Sequence, residues 1–300
     1  MKIGRFVMNI LKRNSYKGSM QRRKLFPPYG QFKNEKINIP YKNDNNPQHT
    51  FDVILAEDNR NNICLIDIHG GAYIFGEHQD NYIFCAPFVK QGFDAVIIDY
   101  EPNDGTLDTK DLVDDIVANL LYVFSHLKEL GLENDKFAIT GDSAGGHFAL
   151  LMSELLLDKE YAKELGYELP DIDLVACLVN CPVYDFAHIA DGNLSRSGSK
   201  RMLGPNYADK KALEMLCSKV HIKSLTCPVF VSTCTQDFLK AQSFLLEKDL
   251  KEQGNVYQLL NIESKEKHVG HVHNVLHPEH HLAIQVNDAM MKFMLDNAKK

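Results

Sequence analysis

The run KFAITGDSAGGHFALL, residues 136–151, decides the fold. Lys136–Thr140 is an apolar, strand-like stretch, Gly141-Asp142-Ser143-Ala144-Gly145 a sharp turn, and Gly146 onward an apolar helix. A strand-to-helix turn this tight presses the residues two positions either side of its centre against it, so only glycine-sized neighbours fit at 141 and 145. The central residue is strained, and the Ser143 hydroxyl stands at the tip beside the helix N-terminus. G-x-S-x-G alone arises often by chance; strand before and helix after make it a nucleophile elbow.

A serine hydroxyl needs a base, and the base needs an orienting carboxylate. In this architecture the chain order is Ser, acid, His. PVFVSTCTQDFLKAQ (228–242) ends a strand and puts Asp237 at its carboxyl end, where it can also cap the following helix. The tail EKHVGHVHNVLHPEHH (266–281) offers His268, His271 and His273 just past the last strand, while His277, His280 and His281 fall at or inside the final helix. Order and location favour one of the first three without choosing among them. The cluster raises metal binding, but no regular ligand spacing completes it. Neither metal nor cofactor is expected.

Acyl transfer also requires donors for an oxyanion, one being the backbone N–H of Ala144. A second set must come from a loop after an earlier strand. NICLIDIHGGAYIFGEHQD (62–80) provides one, because Gly70 and Gly71 let an anion approach the backbone closely. His69 is expected to hydrogen-bond this loop and fix its shape.

Further strand-like runs lie at 51–56, 63–68, 94–99, 174–183, 228–233 and 256–262. Near-continuous apolar strands indicate a sheet covered on both faces. Helical patterns at 110–130, 146–166 and 238–254 alternate with them, the last two closed by glycine. The reading is α/β: a mostly parallel sheet of about eight strands with helices on both faces. Two segments break the rhythm, 1–50 and 184–226, and an insertion after a strand, as the second is, is expected to cover the active-site face. The expected organisation is a lead or cap segment at 1–50 and a catalytic unit at 51–300, together one domain.

With 44% apolar and 24% charged residues over 300 positions, there is material for a large core. A net charge of −7 argues against nucleic acid as the main partner. The seven cysteines are scattered in apolar runs without regular spacing, which argues against a disulfide framework and for a reducing, cytoplasmic location. No stretch approaches a membrane span, and no small-residue cleavage site follows the basic N-terminus.

The motifs HGGAY (69–73), DY (99–100) and GDSAGGH (141–147) are similar in order and spacing to those of the hormone-sensitive-lipase-like bacterial esterases, an acetyl-esterase type within the α/β-hydrolase superfamily. The likeness runs over about residues 50–295. It implies Ser143 as nucleophile, Asp237 as acid and Ala144 as oxyanion donor, with Gly71 and Ala72 donating and Gly70 supporting. In that family the histidine is commonly followed two residues on by Phe; His271-Val-His273 fits this frame best, so His271 is the implied base, with His268 as the alternative. Ala72 departs from the family's third glycine, and its methyl is expected to narrow the acyl space. The implied activity is hydrolysis of small carboxylic esters with short, acetyl-like acyl groups. An amide-bond hydrolase, peptidase or arylformamidase-like, is the alternative, and a non-catalytic ligand-binding protein a third reading.

Residues 1–34 carry nine Lys or Arg (Lys2, Arg5, Lys12, Arg13, Lys17, Arg22, Arg23, Lys24, Lys33) and no acid. Ile3, Phe6, Val7, Ile10 and Leu11 follow helical spacing. The expectation is a cap helix packing this stripe over the pocket; membrane-surface contact and a targeting segment are the alternatives. Nothing in the sequence sets the oligomeric state.

Overall fold

In the computed structural model, which describes residues 3–189, 191 and 194–299, the apolar runs assemble edge to edge. Lys2 of the basic segment lies outside the described residues. The strands are β1 (Glu35–Pro40), β2 (Thr50–Ile54), β3 (Ile63–Ile68), β4 (Asp94–Ile98), β5 (Lys136–Asp142), β6 (Asp173–Asn180), β7 (Val229–Cys234) and β8 (Tyr257–Ile262). They form one sheet in the order β1-β2-β4-β3-β5-β6-β7-β8. β1–β2 and β2–β4 pair antiparallel and every other neighbour parallel.

Every residue of β2, β3, β4 and β7 is buried, as a doubly covered sheet requires. Ile66, Ile68 and Val96 pack on one face with Phe148 and Leu151; Leu65 and Ile97 pack on the other with Phe88 and Met290.

Three expectations shift. Residues 35–40 belong to the sheet, so the lead segment ends near 34 rather than 50. Two helical patterns are broken. The first becomes Thr109–Ser125 and Leu127–Leu130; the second becomes Ala144–Leu157 and Lys159–Glu164, where Asp158 accepts the Tyr161 N–H at 3.0 Å and caps a new start.

The third concerns the N-terminal helix, Arg5–Leu25. It does lie over the pocket, and of the expected stripe Leu11 lines the cavity and Ile3 packs on the core. Phe6 and Val7, however, turn outward, 77% and 41% exposed, and Met8 is buried in their place. No described residue of segment 184–226 lines the cavity. The segment buttresses this helix instead, through Ser197 Oγ accepting the Arg5 N–H (3.2 Å) and Arg201 Nε donating to Asn9 Oδ1 (3.2 Å). At the other end Arg23 binds Asp80 (2.9 Å) and Glu77 (2.8 Å). No helix among the described residues is long and apolar enough to cross a membrane.

Candidate active site

Ser143 sits between the end of β5 and the helix Ala144–Leu157, with φ 54° and ψ −114°. That conformation is costly for a non-glycine residue and persists only where the surroundings dictate it. Here they do. The Ser143 N–H donates to Asn180 O (2.9 Å), and its carbonyl accepts from Val183 N (3.0 Å). A Cβ at Gly145 would stand 2.0 Å from Ile68 O, and one at Gly141 2.3 Å from Gly145 O.

His271 Nε2 lies 2.9 Å from Ser143 Oγ, and its Nδ1 2.6 Å from Asp237 Oδ1. The carboxylate is itself fixed: Thr233 Oγ1 donates to Oδ2 (2.8 Å) and the Leu239 N–H to Oδ1 (2.9 Å). Burial alone would raise the Asp237 carboxyl, but the hydrogen bond and charge of His271 outweigh it and hold it below the ordinary value. It therefore stays ionised and keeps the Nδ1 proton of His271 in place.

The other histidines fall elsewhere. His268 is exposed, with its ring 4.4 Å from that of His277. His273 is buried with neither ring nitrogen hydrogen-bonded among the described residues, and burial pushes it down to about 4. Two cysteines that carried no signal in the sequence tether the His271 loop: Cys181 Sγ accepts the Val272 N–H (3.2 Å), and Cys234 Sγ donates to Gly270 O (3.2 Å). All seven cysteines are free and buried.

The loop after β3 reaches the same point. Ala72 and Tyr73 both have positive φ (51° and 65°), and Gly71 at φ 130° has no room for a Cβ, which would meet Phe75 O at 1.8 Å. The N–H groups of Gly71, Ala72 and Ala144 have no acceptor among the described residues. Gly70 differs: its N–H donates to Asp142 Oδ1 (2.9 Å). It braces the loop against the elbow, so it is not a free oxyanion donor. Asn81 donates to the same oxygen (2.9 Å).

His69 fixes the loop from below, with Nε2 2.8 Å from Asp99 and Nδ1 2.7 Å from Gly70 O, stacked on Tyr100. Burial would lower it, but Asp99 raises it, and with acceptors at both nitrogens the ring is an imidazolium. Asp99 also pairs with His78 (2.9 Å), which lies 3.3 Å from Asp52. His147 has the opposite character. Burial pushes it down to about 4, so its neutral ring donates to Leu216 O (2.6 Å) and accepts from Tyr73 OH (3.1 Å).

A cavity of about 470 Å³ opens over these groups, a size that suits a small molecule. Met8, Leu11, Ile74, Phe75 and Phe238 give it apolar walls, and Ser143, His271, Gly71 and Ala72 line it. Phe238 lies with its ring 4.2 Å from that of His271.

With this geometry in place the kinship is direct. Residues 51–250 match the model of the BD-FAE family. The chain belongs to that family, and so to the esterase and lipase group of α/β-hydrolases. The matched span includes Ser143 and Asp237 but neither the N-terminal helix nor His271. Among curated relatives, a probable carboxylic ester hydrolase, LipM, of Mycobacterium tuberculosis is 30% identical over 128 residues, 42% of this chain and 29% of that one. An AB hydrolase superfamily protein of Schizosaccharomyces pombe is 30% identical over 93 residues, 30% of this chain and 26% of that one. The matches thus span less than a third of these relatives' own length. Among solved structures, esterase B of Lactobacillus rhamnosis superposes with a TM-score of 0.81 at 22% identity, covering 97% of this chain and 95% of that one.

Proposed function

We propose that this BD-FAE member is a serine carboxylesterase acting on small esters with short acyl groups. The observation that carries this is the hydrogen-bonded series Ser143–His271–Asp237, opening onto a cavity where the N–H groups of Gly71, Ala72 and Ala144 lack acceptors. The kinship with a probable carboxylic ester hydrolase supports it, and the BD-FAE match spans Ser143.

In the reaction, Ser143 Oγ attacks the ester carbonyl while His271 Nε2 takes its proton. The carbonyl oxygen becomes an oxyanion, stabilised by the three backbone N–H groups. His271 returns the proton to the alkoxide as the C–O bond breaks, and the alcohol leaves an acyl-enzyme. Water, deprotonated by His271, then cleaves that ester and regenerates Ser143. Asp237 remains ionised throughout and stabilises the imidazolium. The Ala72 methyl beside the oxyanion position supports the short acyl preference. The free, buried cysteines support a reducing compartment such as the cytoplasm.

The test is hydrolysis of p-nitrophenyl esters of rising chain length. Ser143→Ala and His271→Ala should each lower kcat by roughly 10³-fold or more, while His268→Ala stays near wild type. Full activity in Ser143→Ala, or a larger loss in His268→Ala than in His271→Ala, would overturn the assignment. An amide-bond hydrolase would instead show its best kcat/KM on anilides.

A further inference from the structure

Two neighbouring arginines at the end of the N-terminal helix have opposite surroundings. Arg23 is spent on protein: its guanidinium binds Asp80, Glu77 and Gln79 at 2.8–3.0 Å. Arg22, one residue earlier, is turned inward and lines the cavity that holds Ser143 and His271. Its side chain is only 17% exposed, yet it makes no hydrogen bond to protein among the described residues. The nearest carboxylate, Asp80, stands 3.8 Å from its terminal nitrogen, beyond hydrogen-bond reach. Nε is buried without an acceptor. Asp80 is already hydrogen-bonded by Arg23. Asp142 and Glu279 act on Arg22 only through longer-range attraction, and burial pushes the Asp142 carboxyl upward, toward its neutral form.

A guanidinium offers five donors in a rigid fork, and leaving them unmet away from water is costly. The rest of the lining is apolar wall, the reaction centre, Ser15 and Ser19, and the polar groups Asp80, Asn81 and Asp142. Of these, Asp80 is bound by Arg23, and Asp142 by Asn81 and the Gly70 N–H. Among the described residues, Arg22 is therefore the cation that faces the cavity with its donors unmet. A planar carboxylate is the group whose geometry matches that fork.

We propose that Arg22 is a specificity-determining residue, and that this site takes esters carrying an ionised carboxylate in addition to the scissile bond. The carboxylate meets Arg22 while the ester carbonyl sits at Ser143. This rests on the esterase reading of the site but adds a substrate class to it. The carboxylate can belong to the acyl part, as in monoesters of dicarboxylic acids, or to the alcohol part, as in acetylated hydroxy acids.

The experiment compares kcat/KM for matched pairs. Monoethyl succinate and monoethyl glutarate are set against ethyl butyrate and ethyl valerate; acetylated hydroxy acids against propyl acetate. In wild type one charged series should exceed its neutral partners by about 10- to 100-fold, the range of a charge-assisted hydrogen bond. The series that responds identifies the side of the ester. Arg22→Gln should remove that ratio, and Arg22→Lys, which keeps the charge without the fork, should restore part of it. Lys24→Gln, on an exposed residue of the same helix, should leave it in place. Equal losses on charged and neutral esters in Arg22→Gln, or no preference in wild type, would overturn the proposal.

A second arm is independent of turnover. Succinate and glutarate are titrated calorimetrically into Ser143→Ala with and without Arg22→Gln, after both variants show native circular dichroism. At least tenfold weaker binding in the double variant is expected; equal affinity refutes it. Failure of wild type on every p-nitrophenyl ester would sink the esterase reading alone, since this binding arm still reads Arg22.

Discussion

Gly145→Ala separates local turn chemistry from long-range wedging. A Cβ there would lie 2.0 Å from Ile68 O and 2.5 Å from His69 O, both backbone atoms where β3 runs into the oxyanion loop. Ordinary contact needs about 3.4 Å, so something must move by roughly 1.4 Å, and neither partner is a flexible side-chain tip. Overpacking of this kind costs about 1–3 kcal/mol. Two backbone carbonyls at the end of a central strand put this site at the upper end, or roughly a 5 °C fall in Tm for a chain of this length. The moving segment carries Gly71 and Ala72, so the larger effect is kinetic. Misplacing catalytic donors by about 1 Å costs around 10² in rate, and losing one outright 10²–10³. Steady-state hydrolysis of p-nitrophenyl acetate and a thermal melt read both quantities. Gly146→Ala grades the argument, because its Cβ would meet Pro182 Cβ at 2.9 Å, which calls for a shift of a few tenths of an ångström. A Gly145→Ala enzyme within threefold of wild-type kcat and 2 °C of its Tm would refute the wedge.

Ala72→Gly sets two effects against each other. It relieves a φ of 51° worth about 1 kcal/mol but adds backbone freedom to the unfolded chain worth about as much. Melting should therefore stay within a few degrees, while kcat/KM rises for branched or longer acyl groups relative to acetate; an unchanged acyl profile would show that the methyl does not set it. His78 gives a pH signature. Its burial would lower it, but Asp52 and Asp99 raise it to about 10. A folded value above the unfolded one contributes stability that is complete below pH ~6.5 and lost as pH rises through about 10. Tm should fall across that window in wild type and more shallowly in His78→Gln, and parallel curves would count against the buried pair.

What the sequence made legible follows from burial. β3 and β4 are apolar at nearly every position because both faces are covered, so their runs stand out. β1 was invisible because EKINIP is a mostly exposed edge strand with a register shift around Asn38. The N-terminal helix misled for a related reason. Most of its inward side faces a cavity, so beyond Met8 and Leu11 it carries Ser15, Gly18, Ser19 and Arg22 where an apolar stripe would signal packing. Ser143 and Asp237 were readable from local pattern. The separation of His271 from His268 and His273, and of Arg22 from eight other basic residues, depends on tertiary placement that no spacing rule encodes.

The floor and the ceiling of the cavity come from distant parts of the chain. On the proposed mechanism the reaction chemistry falls to the turns after β3, β5, β7 and β8; the ceiling is one helix near the N-terminus, outside the span shared with the family. Substitutions between Met8 and Arg22 can therefore retune which esters enter without touching the groups that break them. A helix exchanged from a relative is the natural unit for redesign, and a fusion placed at the N-terminus is a modification of the binding site itself.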